Sequence, residues 1–477
     1  NLQLSGLRLA ELLQAAGAQG EVRVSASAID ASLDAQTDGR ASVRGTLTAA
    51  APDVTLARGA RTLGLGAVRA VLDAQRDGTA LTASVRELKA GDLLPAATGT
   101  LRAKPDGSGP TVALQVPALD LARLRIALGA LVGDLDGVQA ALAFVPTGTV
   151  QALNITAAGS DFGALAALGS MRAEGHHASG ALELPTFGIA VTGGVGRFAL
   201  ADGTLRWSEL AGAIGKSTFT GGTLAVDLIP DAVDLIPDPA LRKLEATVDA
   251  DLAGTLPIVR RLVGRPEPAA LANVESLRGR ASGTVAYEAD RRGADVAVDL
   301  SRVQGNVRYR GVPLPIEVTD GAVRYAGDRL DVRRLDGRVG RSQVRAGAME
   351  LVLGSVPTVR AASADAVVVL DEIYPWLASL EGLRRPTSAI PSESGTVAVR
   401  LVRLSGPLNQ PAALDYEAVL RPQQVRIAGP TLPAPVTVTG GELRVTPRTV
   451  ALDRLDAAML AARTVASGTT EGYAAPA

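Results

Sequence analysis

The stretch Val318-Thr-Asp-Gly-Ala-Val-Arg-Tyr325 opens a hairpin pattern, with a second strand pattern at Arg329–Leu335 and a glycine-containing third segment at Gly337–Val344. Val323, Tyr325, Leu330 and Val332 are apolar, while Arg324 and Arg333 between them are charged. That period of two predicts strands with one apolar and one wet face. The stretch recurs as Val191-Thr-Gly-Gly-Val-Gly-Arg-Phe198 and as Val438-Thr-Gly-Gly-Glu-Leu-Arg-Val445. The first is followed by Thr204–Leu210 and Gly212–Phe219, the second by Val450–Leu455. A fainter copy runs from Gly66-Ala-Val-Arg69 through Asp77-Gly78 to Leu88. The marker glycines Gly66, Gly194, Gly321 and Gly441 lie 128, 127 and 120 residues apart. Leu-Pro elements at Leu184-Pro185, Leu314-Pro315 and Leu432-Pro433 precede three of them. About four tandem hairpin-rich units therefore tile the chain, a quasi-one-dimensional arrangement.

Alternation continues outside the markers, at Val22–Ala28, Leu244–Leu252, Val296–Leu300, Val397–Leu401 and Leu414–Leu420. Gly, Asp-Gly and Pro punctuate these runs at meander spacing. Helical patterns are few and short: Leu7–Ala16, Asp120–Val132, Phe162–Met171, Leu256–Val263 and Asp371–Leu380. The expected fold is mainly β: an elongated, twisted antiparallel sheet curled into a U-shaped groove, with a few short helices. About 30 strands spaced by about 4.8 Å would extend on the order of 140 Å. Twist accumulates along such a sheet. An apolar face that long must curl, pack or hold an apolar ligand, since exposed patches of a few hundred Å² are the usual limit. The division expected is a short helical lead-in over 1–20, one elongated groove over 21–465 and a disordered tail over 466–477.

Composition narrows the function. Of 477 residues 47% are hydrophobic but only 3% aromatic, with two His, three Met and no Cys. Thiol chemistry, disulfides and thiolate zinc sites are excluded. The 48 basic and 49 acidic residues nearly cancel, which removes nucleic acid as a default partner, because phosphate binding requires a basic footprint. No apolar run approaches the roughly 18 residues of a membrane span. The start at Asn1 shows no signal-peptide pattern. The chain is thus expected to be a piece of a longer or processed protein, with any anchor outside it.

Chemical motifs are weak. Gly215-Lys-Ser-Thr218 resembles a phosphate loop, but Leu210 stands where the first glycine is required. Its counterpart in the next unit is Gly340-Arg-Ser342, which favours a structural origin. His176 and His177 lie in Gly175-His-His-Ala-Ser-Gly180, read as a solvated loop without a third ligand at metal spacing. No Gly-x-Ser-x-Gly elbow accompanies them. Many Asp residues, such as Asp202, Asp320 and Asp328, fall at turns where Asp has a local role. The duplicated heptad Val226–Ala232 and Val233–Pro239 reads as a proline-stiffened loop, a docking loop being the alternative. Tyr374, Trp376 and Leu377 read as a local mini-core, an interfacial anchor being the alternative. No catalytic residue, metal site or cofactor is expected.

The hairpins Val318–Val344 and the stretch Leu244–Val344 resemble the AsmA-like superfamily, in its TamB- and YhdP-type members. In the latter stretch, Ala253-Gly-Thr-Leu-Pro-Ile-Val-Arg-Arg-Leu262 leads to Leu277-Arg-Gly-Arg-Ala-Ser-Gly283 and then to strands. The resemblance covers most of residues 20–460 as a pattern of rhythm and composition, not of invariant residues. It implies a U-shaped apolar trough in a periplasmic protein anchored in the inner membrane of a Gram-negative cell. Such a protein carries phospholipid acyl chains between the inner and outer membranes without chemical conversion. The implied partners are phospholipid or another acyl-chain lipid, and inner- and outer-membrane proteins at the two ends.

By periodicity the expected lining is Phe198, Leu200, Leu205 and Trp207 in one unit; Val323, Tyr325, Leu330 and Val332 in the next; and Leu443, Val445, Val450 and Leu452 in the last. Arg197, Arg206, Arg324, Arg333 and Arg444 are expected to point outwards. An ordinary packed core on the same face is the alternative reading of these residues. The competing function is a periplasmic scaffold or outer-membrane-protein assembly factor that receives client strands at a sheet edge.

Overall fold

The computed structural model describes residues 2–7, 22–26, 28–37, 42–77, 80–103, 109–132, 147–160, 164–166, 168–184, 189–228, 240–262, 269–290, 293–379, 392–429 and 432–472. They form a mainly β protein whose 26 strands belong to one open antiparallel sheet. The chain divides into two compact units, Asn1–Ala246 with Tyr287–Ala294, and Thr247–Ala286 with Asp295–Ala477.

The first unit carries β1 (Leu2–Leu7), β2 (Val22–Ala26), β3 (Ile29–Thr37), β4 (Ser42–Arg58), β5 (Arg61–Asp77), β6 (Ala80–Ala90), β7 (Leu94–Ala103) and β8 (Thr111–Asp120). Helix α1 (Leu121–Val132) follows. Then come β9 (Thr149–Ala158), β10 (Met171–Ser179), the short β11 (Leu182–Leu184), β12 (Ile189–Ala201), β13 (Thr204–Ile214), β14 (Ser217–Asp227) and β15 (Ala240–Asp251), the last crossing into the second unit. In the second unit α2 (Leu252–Leu262) precedes β16 (Val274–Asp290) and β17 (Gly293–Tyr309), whose joined ends at Tyr287–Ala294 belong to the first unit, and then β18 (Ile316–Ala326), β19 (Arg329–Val339), β20 (Ser342–Val352) and β21 (Thr358–Val369). Helix α3 (Leu370–Ser379) then leads to β22 (Ser392–Pro407), β23 (Asp415–Ala428), β24 (Val436–Val445), β25 (Thr449–Met459) and β26 (Ala462–Glu471).

The order of elements recurs. The marker glycines stand on β5, β12, β18 and β24. Three further strands and then a helix follow the first three of these. Leu121, Leu252 and Leu370, the first residues of α1, α2 and α3, lie 73, 69 and 71 residues before the next marker. Asp120 caps α1 by accepting from the backbone N–H groups of Ala122 (2.9 Å) and Arg123 (3.2 Å). Asp251 caps α2 through Gly254.

The glycines mark a line of β-bulges. Register breaks occur at Thr192–Arg197 of β12, Trp207–Leu210 of β13, Val318–Ala322 of β18, Val332–Leu335 of β19, Val438–Glu442 of β24 and Leu452–Leu455 of β25. Residues within the breaks take positive φ, among them Gly193, Glu209, Arg334, Gly441 and Arg454. Each bulge adds one residue, so an apolar step of three there replaces the step of two. Thus Leu205, Trp207 and Leu210 keep to one face, as do Leu330, Val332 and Leu335, and Val450, Leu452 and Leu455.

Several sequence expectations change. Leu2–Leu7 is a strand paired with β3 rather than part of a helical lead-in, and the helix expected to continue to Ala16 lies outside the described residues. The expected helix Phe162–Met171 is two short 3-10 turns, Ala164–Ala166 and Leu168–Ser170. His176 and His177 sit on β10, not in a loop. The tail expected to be disordered from residue 466 is strand up to Glu471, because β26 needs only backbone groups to pair with β25. The heptad's second half and most of its first, residues 229–239, lie outside the described residues.

Gly441 has φ of 102°, and a Cβ there would lie 2.5 Å from the Arg454 carbonyl oxygen, whereas one on Gly440 meets nothing within 4 Å. Gly441→Ala should destabilise the second unit by about 1–3 kcal/mol, and Gly440→Ala by less than about 0.5 kcal/mol. Paired chemical denaturation curves check this.

Candidate functional site

Register turns the alternation into continuous apolar files. In the first unit Leu2, Leu33, Leu47, Leu72, Val85 and Gly99 stand directly opposite one another in succession. The file continues through Leu114, Ile155, Ala173, Leu200, Leu205 and Val226, crossing twelve strands without a polar side chain. In the second unit Gly305, Val318, Gly337, Val344, Ala366, Val399, Leu420, Leu443, Leu452 and Gly468 form a comparable file across ten strands. Leu300, Val323, Val332, Met349, Ala362, Leu404 and Tyr416 make another beside it.

All twelve expected lining residues fall on these faces as direct cross-strand partners: Phe198 with Trp207, Leu200 with Leu205, Val323 with Val332, Tyr325 with Leu330, Leu443 with Leu452, and Val445 with Val450. Their environments differ. Trp207 is 3% exposed and Leu205 8%, while the eight residues of the second unit are half-buried. The first unit is packed with its own side chains around β7 to β9, where Leu121 of α1 closes on Val116, Leu119, Val150 and Leu153. Phe198 packs against that cluster and lies over Gly175, whose added Cβ would come within 3.1 Å of the ring. Sequence reading missed Leu224 and Val226 of β14, both buried. Their alternation with Phe219 and Gly222 was the available signal.

The opposite face is polar and cross-braced. Arg197, Arg206, Arg324, Arg333 and Arg444 are exposed as expected. Ion pairs link neighbouring strands: Arg197 with Glu209 (3.2 Å), Arg242 with Asp227 (2.6 Å), Arg338 with Glu317 (2.6 Å) and Arg421 with Glu442 (3.0 Å). Two hollows lie on this face. One of about 740 Å³ has Ala152, Ala199 and Ala225 between Glu174, Arg206 and Lys243. The other, of about 350 Å³, is lined by Arg345, Asp365, Arg400 and Arg421. Each carries three cations to one carboxylate, Arg197, Arg206 and Lys243 with Glu174 in the first and Arg345, Arg400 and Arg421 with Asp365 in the second.

His177 is buried, with Nε2 2.9 Å from the Thr147 carbonyl oxygen. His176, next along the strand, is exposed on the other face, so the two imidazoles do not converge. Among the described residues no cluster of three or more metal-ligating side chains occurs. Gly215-Lys216 and Gly340-Arg341 are the tight turns of the β13–β14 and β19–β20 hairpins.

Helix α3 is fastened across the strand ends of the second unit. The Arg341 backbone N–H (2.7 Å) and Nε (2.8 Å) both donate to Glu372. Gly395 donates to Asp371 (3.3 Å), and Trp376 Nε1 donates to the Gly311 carbonyl (2.6 Å). Leu370 is buried with Val425 and Val438. Tyr374 is buried, in keeping with a local mini-core; the side chain of Leu377 lies outside the described residues. Bonds from the Arg341 backbone and side chain hold the Glu372 carboxyl below the usual carboxylate range. Burial pushes Glu393 up.

No protein-family model, curated protein or solved structure matches the chain.

Two outcomes follow from this packing. Trp207→Ala should destabilise the first unit by about 3–5 kcal/mol, and Leu452→Ala should cost less, read from thermal unfolding. Because its folded-state pKa is depressed, Glu372 stabilises the attachment of α3 above its unfolded pKa and loses that contribution as pH falls through the folded value. Glu393, raised, acts in the opposite sense. Amide exchange in 370–379, corrected for the intrinsic rate, should therefore lose protection on acidification below the usual carboxylate range. Glu372→Gln should show the loosened helix already at neutral pH.

Proposed function

We propose that the chain is a segment of a bridge-like lipid carrier whose apolar sheet face accepts phospholipid acyl chains while head groups remain in water. The observation that carries this reading is the pair of uninterrupted apolar files, twelve strands long in the first unit and ten in the second. Burial of a methylene group is favourable by about 0.8 kcal/mol, so an aliphatic face of this length attracts an alkyl chain. A file of Leu, Val, Ala and Gly has no deep well to arrest that chain. Bulges bend strands, and their recurrence supports a trough assembled from about four repeat units.

The setting proposed with this function is the periplasm, with inner-membrane anchorage in the full-length protein and movement of lipid between the inner and outer membranes through partners at the two ends. The role is passive: no bond is made or broken.

A second reading rests on β26. It is exposed along nearly its whole length and, among the described residues, pairs with β25; an edge strand of that kind offers ladder groups to a client strand. In that reading the protein is an assembly scaffold.

Purified protein should retain phospholipid detectable by mass spectrometry. Val332→Glu and Leu452→Glu should each abolish transfer between donor and acceptor vesicles while leaving the circular dichroism spectrum unchanged. Absence of bound lipid, together with crosslinks from β26 to polypeptide clients, would favour the scaffold.

A further inference from the structure

The larger hollow on the wet face is laid out by register. Asn154 of β9, Glu174 of β10, Ala199 of β12, Arg206 of β13 and Ala225 of β14 stand opposite one another in a single row across five strands. The row belongs wholly to the first unit. At one end the Asn154 amide donates to Glu174 (3.4 Å), which leaves the carboxylate lone pairs for further donors. At the other end Lys243 of β15 joins Arg206 in the lining. The two alanines carry only a methyl group each, and the space above them is the hollow of about 740 Å³, a size within the range of small-molecule sites.

Arg206 is the cation of this hollow without a protein partner. Arg197 pairs with Glu209 (3.2 Å) and Lys243 with Glu245 (3.6 Å). Arg206 stands directly between Ala199 and Ala225, so neither adjoining strand sets a carboxylate opposite it. It enters no ion pair among the described residues. In the second unit, by contrast, Arg338 and Arg421 each meet a glutamate on the adjoining strand. The Thr223 hydroxyl, also in the lining, is covered and has no hydrogen-bond partner among the described residues. A change of rotamer at its single side-chain torsion turns that oxygen towards the hollow.

We propose that this hollow binds a hydroxylated phosphate ester, with its phosphate on Arg206 and Lys243 over Ala225 and a hydroxyl donating to Glu174 over Ala199. A guanidinium fork beside an ammonium group suits a phosphate. Glu174 lies two strands from Arg206, about 9.6 Å by strand spacing, and accepts from a hydroxyl while repelling the phosphate from its own end. The site lies on the face opposite the apolar files and stands independently of the lipid-carrier reading. Two sources present the same chemistry: a free polyol phosphate, and the glycerophosphate head group of an anionic lipid.

The test titrates the full chain calorimetrically with sn-glycerol 3-phosphate, and separately floats it with vesicles of phosphatidylcholine with or without phosphatidylglycerol. The free ester should bind, and Arg206→Gln should weaken it by about tenfold or more, the effect of one charge-assisted hydrogen bond. Ala199→Leu, which fills the hollow without altering a charge, should weaken binding likewise, whereas Arg333→Gln in the second unit should leave it unchanged. Glu174→Gln should weaken glycerol 3-phosphate but not inorganic phosphate, which lacks the glycerol hydroxyls. Flotation that needs phosphatidylglycerol and is lost in Arg206→Gln, without heat from the free ester, assigns the site to a lipid head group. Absence of both heat at millimolar ester and such flotation overturns the site. So does binding that survives Arg206→Gln and Ala199→Leu alike in protein of native circular dichroism.

Discussion

A strand turns successive side chains to opposite faces, and a single slip in register exchanges the faces entirely. Every other feature of this protein depends on how that constraint is met over 26 strands. A bulge in one strand alone would send the apolar residues beyond it into water. Here neighbouring strands carry bulges in matching positions, so Leu210, Leu335 and Leu455 return to the face held by Trp207, Val332 and Leu452. Glycine serves that bend where Leu210 meets Gly222 and Leu335 meets Gly347, since a Cβ at either glycine would crowd the leucine opposite.

The same constraint sorts the chemistry. Charges pushed to the wet face brace one another across strands, each exposed pair contributing about 0–1 kcal/mol. The twelve-strand and ten-strand files consist of Leu, Val, Ile, Ala and Gly, without an acid, base or nucleophile. Coverage of that face varies within each unit: Trp207, Leu224 and Val226 are covered and Leu33 is exposed in one, while Val359 and Val438 are covered and Val332 and Leu452 half-buried in the other.

Much of this was legible in the sequence. Alternation around Val318–Val344 put Val323, Tyr325, Leu330 and Val332 on one face, because that signal is local; the repeated glycines, read as markers of a repeat, turn out to stand at the bulges. The errors came where tertiary contacts overrule local cues. Gly175 and Gly180 made the two histidines look like a loop, yet Gly175 is small because the Phe198 ring lies over it. The Ser, Gly and Thr residues from 466 onward looked like a frayed end, but up to Glu471 a neighbouring strand supplies the ladder that such residues need. The fastening of α3 could not be read ahead, since Glu372 and Arg341, or Trp376 and Gly311, meet only after the strands are laid side by side.

Six strands separate α2 from α3. An even number of passes brings an antiparallel chain back to the edge from which it set out, so both helices emerge on the same border of the second unit. The count is thus a matter of parity as well as length. Inserting or deleting one strand between them would deliver α3 to the far border, away from Arg341 and Gly311, and would reverse the direction of every later strand. A sheet of this kind can grow or shrink only by pairs of strands, each hairpin adding about 10 Å of width.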